Sequence, residues 1–319
     1  MTITEVAPTQ LPELSDAATV IDRFTFTIGD QPFVADISAF EDPRLEEARK
    51  IEEDTFVALG DLPEEVRAEF DPLDSYSTVI FLHAGSLATG AANPDTTGLV
   101  GMGRLLPYIP EQGGLKTFVD LGKIAAVQKD GSRNEDANED TRGRILEALE
   151  LDSDDVLAIE DEGDRARFIT SRVEDRFSAE YGLGSLSSLV DIATLAPDME
   201  LEFEDKLVVI EGLLAAMAVY TTDLYHQGRL SHLVQFTAGP LHHYLRDVYG
   251  YPVQELLGLE DLSYDSFGNG TDSNMVSTPS VLDSRHLVND VFYAPPLTEH
   301  MGRIASAMNQ VSTARLAVV

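Results

Sequence analysis

The sequence predicts an α/β domain, and three observations support this fold class. Short apolar or alternating stretches typical of strands recur along the chain, with helical patterns between them. A long segment, "KLVVIEGLLAAMAVYTTDLYHQG", is apolar on most sides of a helix and should therefore be buried. Hydrophobic residues make up 43% of the 319 residues, which is enough for a core. We expect one domain over residues 21–319, preceded by a disordered segment at residues 1–20.

The first half of the chain predicts a hairpin, a helix and two strands. In "RFTFTIGDQPFVADI", Phe24, Phe26 and Ile28 alternate with polar residues, and Gly-Asp supplies the turn. Pro43 opens a helix, "PRLEEARKIEEDTFVAL". The runs "STVIFLHAG" and "GLVGMGRLLPYI" are then typical of buried strands.

Residues 120–185 differ and predict a mostly helical insertion. A polar loop, "QKDGSRNEDANEDTRGR", precedes two short helices, "RILEALEL" and "SDDVLAIED", the second with Ser153 as its expected cap. A longer helix, "RARFITSRVEDRFSAEYG", then carries four arginines.

Strands and helices alternate again from Ser185. The predicted order is strand "SLVDIATLAP", the long buried helix ending at Gly228, strand "HLVQFTA", helix "GPLHHYLRDVYG" and strand "YPVQELLG". The run "YDSFGNGTDSNMVSTPS" has the composition of a loop, and "LTEHMGRIASAMNQ" predicts a final helix.

Composition excludes several classes of function. The net charge of −34 disfavours nucleic acid and anionic membranes, because both would be repelled. The absence of cysteine excludes disulfides, thiolate metal sites and thiol nucleophiles. No uncharged apolar run reaches the ~18 residues that span a bilayer, and the start "MTITEVAPTQ" lacks a signal-peptide pattern. We expect a cytoplasmic protein.

An acidic pattern, E-x-D-x-x-D, occurs at Glu69, Asp71 and Asp74. Acids make up 56 of the 319 residues, so about one or two matches are expected by chance. A second match does occur, at Glu150, Asp152 and Asp155. Only the context distinguishes the two copies, because only the first precedes a predicted buried strand.

This context resembles a known enzyme family. "EFDPLD", then "STVIFL", then "GRLLPYIPEQGGLKTFVDL" resemble the acyl-homoserine-lactone synthases and related N-acyl amino acid synthases of the GNAT acyltransferase superfamily. The resemblance implies a mixed, mostly antiparallel sheet that splays and is flanked by helices. It also implies that Glu69, Asp71 and Asp74 bind a cationic amine or sulfonium, such as S-adenosylmethionine.

The sequence departs from the family at two basic positions. The family's "ELSR" run aligns with "DIAT", so Asp191 keeps the carboxylate while Thr194 replaces an arginine. Glu52 stands where the family has a second arginine, relative to Phe56. These departures weaken the expectation for the family's own substrates, S-adenosylmethionine included.

Asp191 and Arg104 are the polar residues that stand out within apolar strands. Burial among Leu189, Val190 and Ile192 would raise the pKa of Asp191 and suit it to act as a base, although an exposed strand position is the alternative. Arg104 would either fix the acidic segment by an ion pair or bind a substrate carboxylate.

The predicted catalytic residues are Asp191 and Glu69. The predicted substrate-binding residues are Asp71, Asp74, Arg104, Thr194, Phe118, Phe236 and Thr237.

The residues expected to bind the acyl donor indicate that the donor is an acyl group on a carrier protein rather than on free coenzyme A. "PDMELEFEDK" precedes the long helix where coenzyme-A-dependent relatives bind pyrophosphate, and it has five acids and no glycine. The resembled branch takes acyl chains from acyl carrier protein, which is acidic. The helix with Arg165, Arg167, Arg172 and Arg176 could supply its docking face, although the more ordinary interpretation is that these arginines balance the acids of the same helix.

Other chemistry finds little support. His242 and His243 are adjacent and point to different sides of a helix, so we expect no metal site and no tightly bound cofactor. No nucleophile elbow supports Ser-His-Asp catalysis.

The leading hypothesis is an N-acyltransferase acting on the amine of a small amino-acid-like acceptor. The alternatives are an enzyme on the same scaffold that has left acyl transfer, and a catalytically inactive ligand-binding member.

Overall fold

A computed structural model describes residues 20–59, 63–84, 98–127, 135–265, 274–288 and 298–316. The expected disorder at residues 1–20 therefore falls almost entirely outside the described residues. Within them, nine strands form a single sheet. The strands are β1 (Val20–Ile28), β2 (Gln31–Ala39), β3 (Thr78–Ala84), β4 (Leu99–Pro107), β5 (Leu189–Pro197), β6 (His232–Ala238), β7 (Gln254–Glu255), β8 (Leu262–Asp265) and β9 (Asn274–Asp283).

The sheet is mixed and mostly antiparallel, as the resemblance implied. Its order is β1-β2-β3-β4-β5-β6-β9-β7, with β8 also paired to β9. Among the described strands, only the central neighbours β5 and β6 run parallel. A parallel pair requires a crossover connection, and a long helix between the two strands supplies it.

Helices cover both faces of the sheet. They are α1 (Leu45–Leu59), α2 (Pro63–Phe70), α3 (Lys116–Ala126), α4 (Glu135–Ala148), α5 (Ser153–Leu157), α6 (Glu162–Tyr181), α7 (Phe203–His226), α8 (Gly239–His243), α9 (Ser284–His286) and α10 (Glu299–Leu316). Helices α1, α3, α4 and α6 pack on one face, here called the α1 face. Helices α7 and α10 pack on the other, the α7 face.

The crossover helix α7 is the predicted buried helix. It is long and apolar enough to cross a membrane, but 72% of its most apolar window is buried inside the protein, as in the core helix of a globular domain. Its close approach to the sheet depends on Gly101 of β4, where an added Cβ would lie 2.7 Å from Cγ1 of Val209. This glycine lets the helix backbone approach the strand.

Some local predictions were wrong. The predicted loop at residues 264–280 includes the end of β8 and most of β9, which is the longest of the described strands. "YPVQELLG" contributes only the two residues of β7, and α4 already begins at Glu135, inside the predicted polar loop. Asp152, not Ser153, caps α5, by accepting a hydrogen bond from the backbone N–H of Asp154 at 2.8 Å.

Candidate functional site

The centre of the sheet carries an irregularity on β5. Arg104 of β4 lies opposite Thr194, while the next residue, Leu105, lies opposite Ile192, so Ala193 is an extra residue in a β-bulge. Without the bulge, Asp191 and Thr194 would point to opposite faces. With it, both lie on the α1 face, level with Leu106 and Arg104 of the neighbouring strand.

The parallel strands part at this same level. β5 and β6 are paired only from Leu189 with His232 to Ile192 with Gln235. Beyond that point β5 continues along β4, and β6 continues along β9. The splay predicted between the strands containing Asp191 and Val234 is therefore present, and the architecture is GNAT-like.

An apolar pocket lies at the splay, on the α7 face. It is narrow, because the space that a water-sized molecule can occupy is about 10 Å³, enough for roughly one water. Ile192 of β5, Leu233 and Gln235 of β6, and Leu214 and Met217 of α7 form much of its wall. Tyr251, from the segment after α8, also lines it. The pocket thus lies directly beside the point where the two strands separate.

Asp191 lies on the opposite side of the strand and is only 1% exposed. Its Oδ2 accepts a hydrogen bond of 2.6 Å from the backbone N–H of Thr117, in the first turn of α3. Burial raises the pKa of Asp191 to about 6, although this hydrogen bond and the charge of Lys116 oppose the rise. The predicted buried acid with a raised pKa is present.

A lysine in the same turn of α3 joins two acids. The Nζ of Lys116 lies 2.6 Å from Asp120 and also contacts Glu69, the first acid of the motif. Burial raises the pKa of Asp120, while the charge of Lys116 opposes that rise. Burial also opposes the charge on Lys116, but Asp120 and Glu69 raise its pKa well above the usual value. Asp191 accepts its hydrogen bond from the next residue of this turn, and the charge of Lys116 also acts on its carboxyl group.

Arg104 forms a second buried cluster beside the first. Its side chain is fully buried; Nε and Nη2 bind Glu52 at 2.9 and 2.6 Å, and Nη1 binds Asp74 at 2.6 Å and Ser77 at 2.9 Å. Thr194 donates its hydroxyl to the same Glu52 at 2.5 Å. Arg104 thus fixes the acidic segment to the sheet, and at least four of its five N–H groups are used within the chain. Its predicted contact with a substrate carboxylate remains a prediction.

The other predicted residues occupy different environments. Asp71 lies on an exposed 3₁₀ turn, 3.8 Å from Arg49, which also contacts Asp74. Phe118 is fully buried in the cluster between α3 and α6, with its ring 5.2 Å from that of Phe177. Phe236 packs against the same cluster, and Thr237 is 8% exposed. No contact in the described residues tests their binding roles.

The second copy of the acidic pattern has local roles. Glu150 lies two residues after α4 in a left-handed conformation, and its carboxylate is 3.3 Å from Arg176. Asp152 caps α5, and Asp155 is exposed in its first turn. This copy belongs to the helical insertion, as the missing strand context indicated.

The structure confirms the predicted position of the acids at the start of α7, but not the exposure of every arginine on α6. Glu202, Glu204 and Asp205 surround the start of α7, where a pyrophosphate would be repelled. Arg165, however, is 2% exposed, and its guanidinium binds the backbone carbonyls of Ala126, Ile159 and Glu160. The prediction that Arg165 belongs to an exposed docking face is therefore wrong.

The exposed arginines of α6 differ from Arg165. Arg167 contacts Asp164, Arg172 lies 3.8 Å from Asp175, and Arg176 contacts the end of α4. Each has a carboxylate neighbour, but all three side chains are at least 50% exposed.

One histidine and two acids come close together between the end of α8 and the start of β8. His243, Glu260 and Asp261 place ligand atoms within 4.8 Å of one another. Arg246 enters this cluster, with Nη2 at 3.1 Å from His243 and Nη1 at 3.2 Å from Glu260. Its positive charge offsets part of the negative charge of the two acids. His242, as predicted, points away and is buried against Ser280.

Sequence reasoning missed several residues of the centre. Lys116 and Asp120 are spaced i,i+4 at the start of an amphipathic helix, which is a weak local signal for an ion pair. Glu52 follows the apolar positions Ala48 and Ile51 of α1 and was noted only as a departure from the family. Gln235 gave no signal, because nothing local identifies which face of β6 borders an opening.

No family model and no curated protein sequence matches this chain. Among solved structures, it is similar to FeeM, an N-acyl amino acid synthase from uncultured soil microbes, with 13% identity, a TM-score of 0.40, and coverage of 81% of this chain and 93% of that one. It is also similar to a mosquito arylalkylamine N-acetyltransferase like 5b, with 12% identity, a TM-score of 0.42, and coverage of 79% and 99%.

A putative arylalkylamine N-acetyltransferase 7 from the yellow fever mosquito shows 11% identity and a TM-score of 0.40, with coverage of 83% of this chain and 95% of that one. Scores and identities this low carry no argument about function. The fold is established by the strand order and register of this chain itself.

Proposed function

We propose that this protein transfers an acyl group from a thioester to the amine of a small amino-acid-like acceptor. The observation that carries the proposal is the splay beyond Ile192 and Gln235, with an apolar pocket on one face and Asp191 on the other. The wall of the pocket is apolar, as an acyl chain requires, but the pocket must widen to admit one. A buried carboxylate with a raised pKa suits the removal of a proton from an ammonium group.

The reaction needs one base and one polarising group. The amine nitrogen forms a bond to the thioester carbon, the carbon–sulfur bond breaks, and the thiolate leaves and takes up a proton. Asp191 is proposed as the base that removes the proton of the amine. Ala193 is the extra residue of the bulge, without a register partner on β4 or β6, and its backbone N–H is proposed to polarise the thioester carbonyl.

The acceptor is proposed to be cationic and small. Glu69 and Asp120 contact Lys116, and Asp191 accepts a hydrogen bond from the same turn, so acids outnumber the lysine beside the splay. Such a field favours an ammonium or a sulfonium over an anion. S-adenosylmethionine remains one acceptor of this class; Asp71, the most exposed acid of the motif, is the residue proposed to meet it first.

The donor is proposed to be an acyl carrier protein. Acids at the start of α7 disfavour the pyrophosphate of coenzyme A. Arg172 and Arg176 offer exposed positive charge on α6 for an acidic carrier. The separation of β5 and β6 beyond Ile192 and Gln235 is the feature on which we prefer acyl transfer to an enzyme that has left this chemistry and to an inactive binding member.

Thiol release from acyl thioesters, measured with a panel of amino acids and S-adenosylmethionine, tests the proposal. Amine-dependent release that is lost in Asp191→Asn supports it. The matched control is Asp155→Asn, an exposed acid of the second pattern copy, which should keep full activity. Release that does not depend on any amine, or that survives Asp191→Asn unchanged, would contradict the assigned reaction or base.

A further inference from the structure

The ammonium group of Lys116 lies in a site made by three other side chains. Its Nζ is 2.6 Å from a carboxylate oxygen of Asp120 and contacts the carboxylate of Glu69. The same Nζ lies over the ring of Phe70, 5.3 Å from the ring centroid. Carboxylates and aromatic faces are the groups that bind alkylammonium ions in proteins. Glu69, Asp120 and the ring of Phe70, here called the ammonium site, therefore suit the lysine and any other small alkylammonium.

The stability of α3 does not explain why a lysine stands here. Lys116 is the first residue of the helix, where the helix dipole disfavours a positive charge. The lysine precedes Asp120 by four residues, which is the less stabilising order for an ion pair on a helix. Burial also opposes its charge, and the pKa of Lys116 is nevertheless raised because Asp120 and Glu69 outweigh that burial. The two acids, and not the helix, thus hold the ammonium in place.

The ammonium site is most open on the side of the lysine. The side chains of Lys116 and Glu69 are 14% and 29% exposed, whereas that of Asp120 is only 4% exposed. Asp191, held by the backbone of the next residue of α3, is buried as well. A lysine side chain is long and flexible, so it can turn toward solvent while its helix stays in place. Its departure would uncover the two acids next to the proposed base.

An unpaired hydroxyl in the same turn also indicates a ligand. Thr117 is buried, and its Oγ1 makes no hydrogen bond with any residue that the structure describes. This hydroxyl lies beside the carboxyl group of Asp191, to which the backbone N–H of Thr117 donates. Buried hydroxyl groups nearly always have a hydrogen-bond partner in folded proteins. An ammonium group bound beside Asp191 would supply the missing donor.

We propose that Lys116 is a displaceable occupant of the ammonium site, and that the ammonium group of the acceptor binds by replacing it. This inference rests on the acyl transfer proposed above and adds the residue that selects the acceptor. Only another cation can take over the contacts to Glu69 and Asp120 without leaving carboxylates unpaired, which is costly where they are buried. An uncharged or anionic molecule leaves the lysine in place and does not reach Asp191.

Replacement of the lysine by an added ammonium ion tests the site without any turnover. Lys116→Met removes the ammonium and keeps a side chain of similar shape. n-Propylammonium chloride should then raise the thermal unfolding midpoint of this variant more than the same concentration of sodium chloride does, and the midpoint of the wild type should not respond in this way. A further Asp120→Asn change should reduce the effect. Lys50→Met, at an exposed position of α1, changes the net charge equally and should behave as the wild type.

Two outcomes of this experiment would overturn the inference. The first is an equal response of the wild type and Lys116→Met to n-propylammonium, or a response of neither. If the methionine variant does not fold, Lys116→Gln takes its place in the same comparison. The second is failure of both variants to fold even with n-propylammonium present, because the lysine would then be part of the fold and not a replaceable occupant.

Kinetics test whether the acceptor uses this site. Lys116→Met should lower KM for a cationic acceptor by roughly 10-fold and change kcat much less, because the site no longer has to be vacated before the acceptor binds. A KM that stays at the wild-type value would contradict displacement by the acceptor, even where amine-dependent acyl transfer itself is observed. A midpoint that responds to n-propylammonium in a protein without acyl transfer would support the ammonium site and contradict only the proposed reaction.

Discussion

Asp191 on β5 and Thr117 on α3 are joined by a hydrogen bond of 2.6 Å from the backbone N–H of Thr117 to the carboxylate. The acid proposed as the base therefore also accepts an otherwise unpaired donor at the start of a helix. The same contact holds α3 against the sheet, with Lys116 and its two other acids beside the reaction centre. Asp191 thus has both a structural role and a proposed chemical role. The pH dependence of stability and the pH dependence of activity measure the two roles separately.

The first prediction concerns stability. The folded protein holds the proton of Asp191 up to about pH 6, whereas the unfolded chain releases it near pH 4. The protonated form is the one that folding favours, so stability is lost as pH rises through this window, by about 3 kcal/mol at most. Asp191→Asn should not show this loss and should be more stable than the wild type at pH 7.

Urea unfolding of both proteins at several pH values between 4 and 7.5 measures the difference. The difference in unfolding free energy should grow with pH and level off above pH 6, since other groups titrate equally in both proteins. Parallel stability curves would show that Asp191 has an ordinary pKa.

The second prediction concerns activity at the same residue. Only the ionised form of Asp191 can accept a proton, so kcat/KM should rise with pH through about 6. Asp191→Asn should lower kcat by 10²–10⁴-fold while keeping the fold, which is the usual contribution of a general base. A pH profile measured with a saturating thioester and varied amine checks this. A variant that is both destabilised and inactive would instead indicate a purely structural residue.

The third prediction concerns Arg104. Replacing it with methionine would leave the carboxylates of Glu52 and Asp74 buried without their partner, at a cost of about 3–5 kcal/mol. Arg104→Lys should also destabilise, because one ammonium cannot reproduce the paired contacts to Glu52. Denaturant unfolding measures both variants. Arg167→Met, at a 71% exposed side chain, is the control and should change stability by less than about 0.5 kcal/mol. A small effect at Arg104 would mean that water reaches the cluster.

Local patterns in the sequence predicted most of the fold because strand and helix periodicity are local properties. β9 was missed because its sequence, "NMVSTPSVLD", contains a proline and follows a run rich in glycine and polar residues. The structure accommodates Pro279 because it lies between two short partners: β8 pairs with residues 274–277 and β7 with 280 and 281. A central strand with a proline therefore has no regular local signature.

The site was predictable only where one residue contrasts with its neighbours. Asp191 stands out as an acid in an apolar strand, and its burial follows. The contact of Thr194 with Glu52 depends on the bulge at Ala193, which moves Thr194 to the face of Asp191. That bulge is set by pairing with β4, about ninety residues away in sequence, so neither residue's neighbours reveal it.

The fourth prediction compares two glycines within helices. At Gly122 of α3 an added Cβ would lie 2.2 Å from Oγ1 of Thr170 and 2.6 Å from the carbonyl oxygen of Ala166, so α3 and α6 would have to separate. Gly122→Ala should destabilise by about 1–3 kcal/mol. At Gly143 of α4 nothing lies within 4 Å, so Gly143→Ala should stabilise by about 0.5–1 kcal/mol. Thermal unfolding of both variants measures these opposite signs, and equal shifts would refute the close packing of α3 on α6.

The last prediction concerns the donor. Arg172 and Arg176 are 50% exposed on α6, while Arg165 is buried and contributes nothing to a surface. If an acidic carrier docks on the two exposed arginines, activity with carrier-bound acyl chains should fall steeply as ionic strength rises. Reversing both to glutamate should raise KM for the carrier and leave kcat/KM for a short thioester analogue nearly unchanged, because the analogue needs only the splay. Reversal of Lys50 and Arg229, two exposed basic residues on other elements, changes the net charge equally and should leave carrier turnover close to the wild-type value. If both double variants lose carrier-dependent activity equally, the loss is an effect of net charge and not of docking on α6. Full activity with free acyl-coenzyme A would also contradict carrier docking.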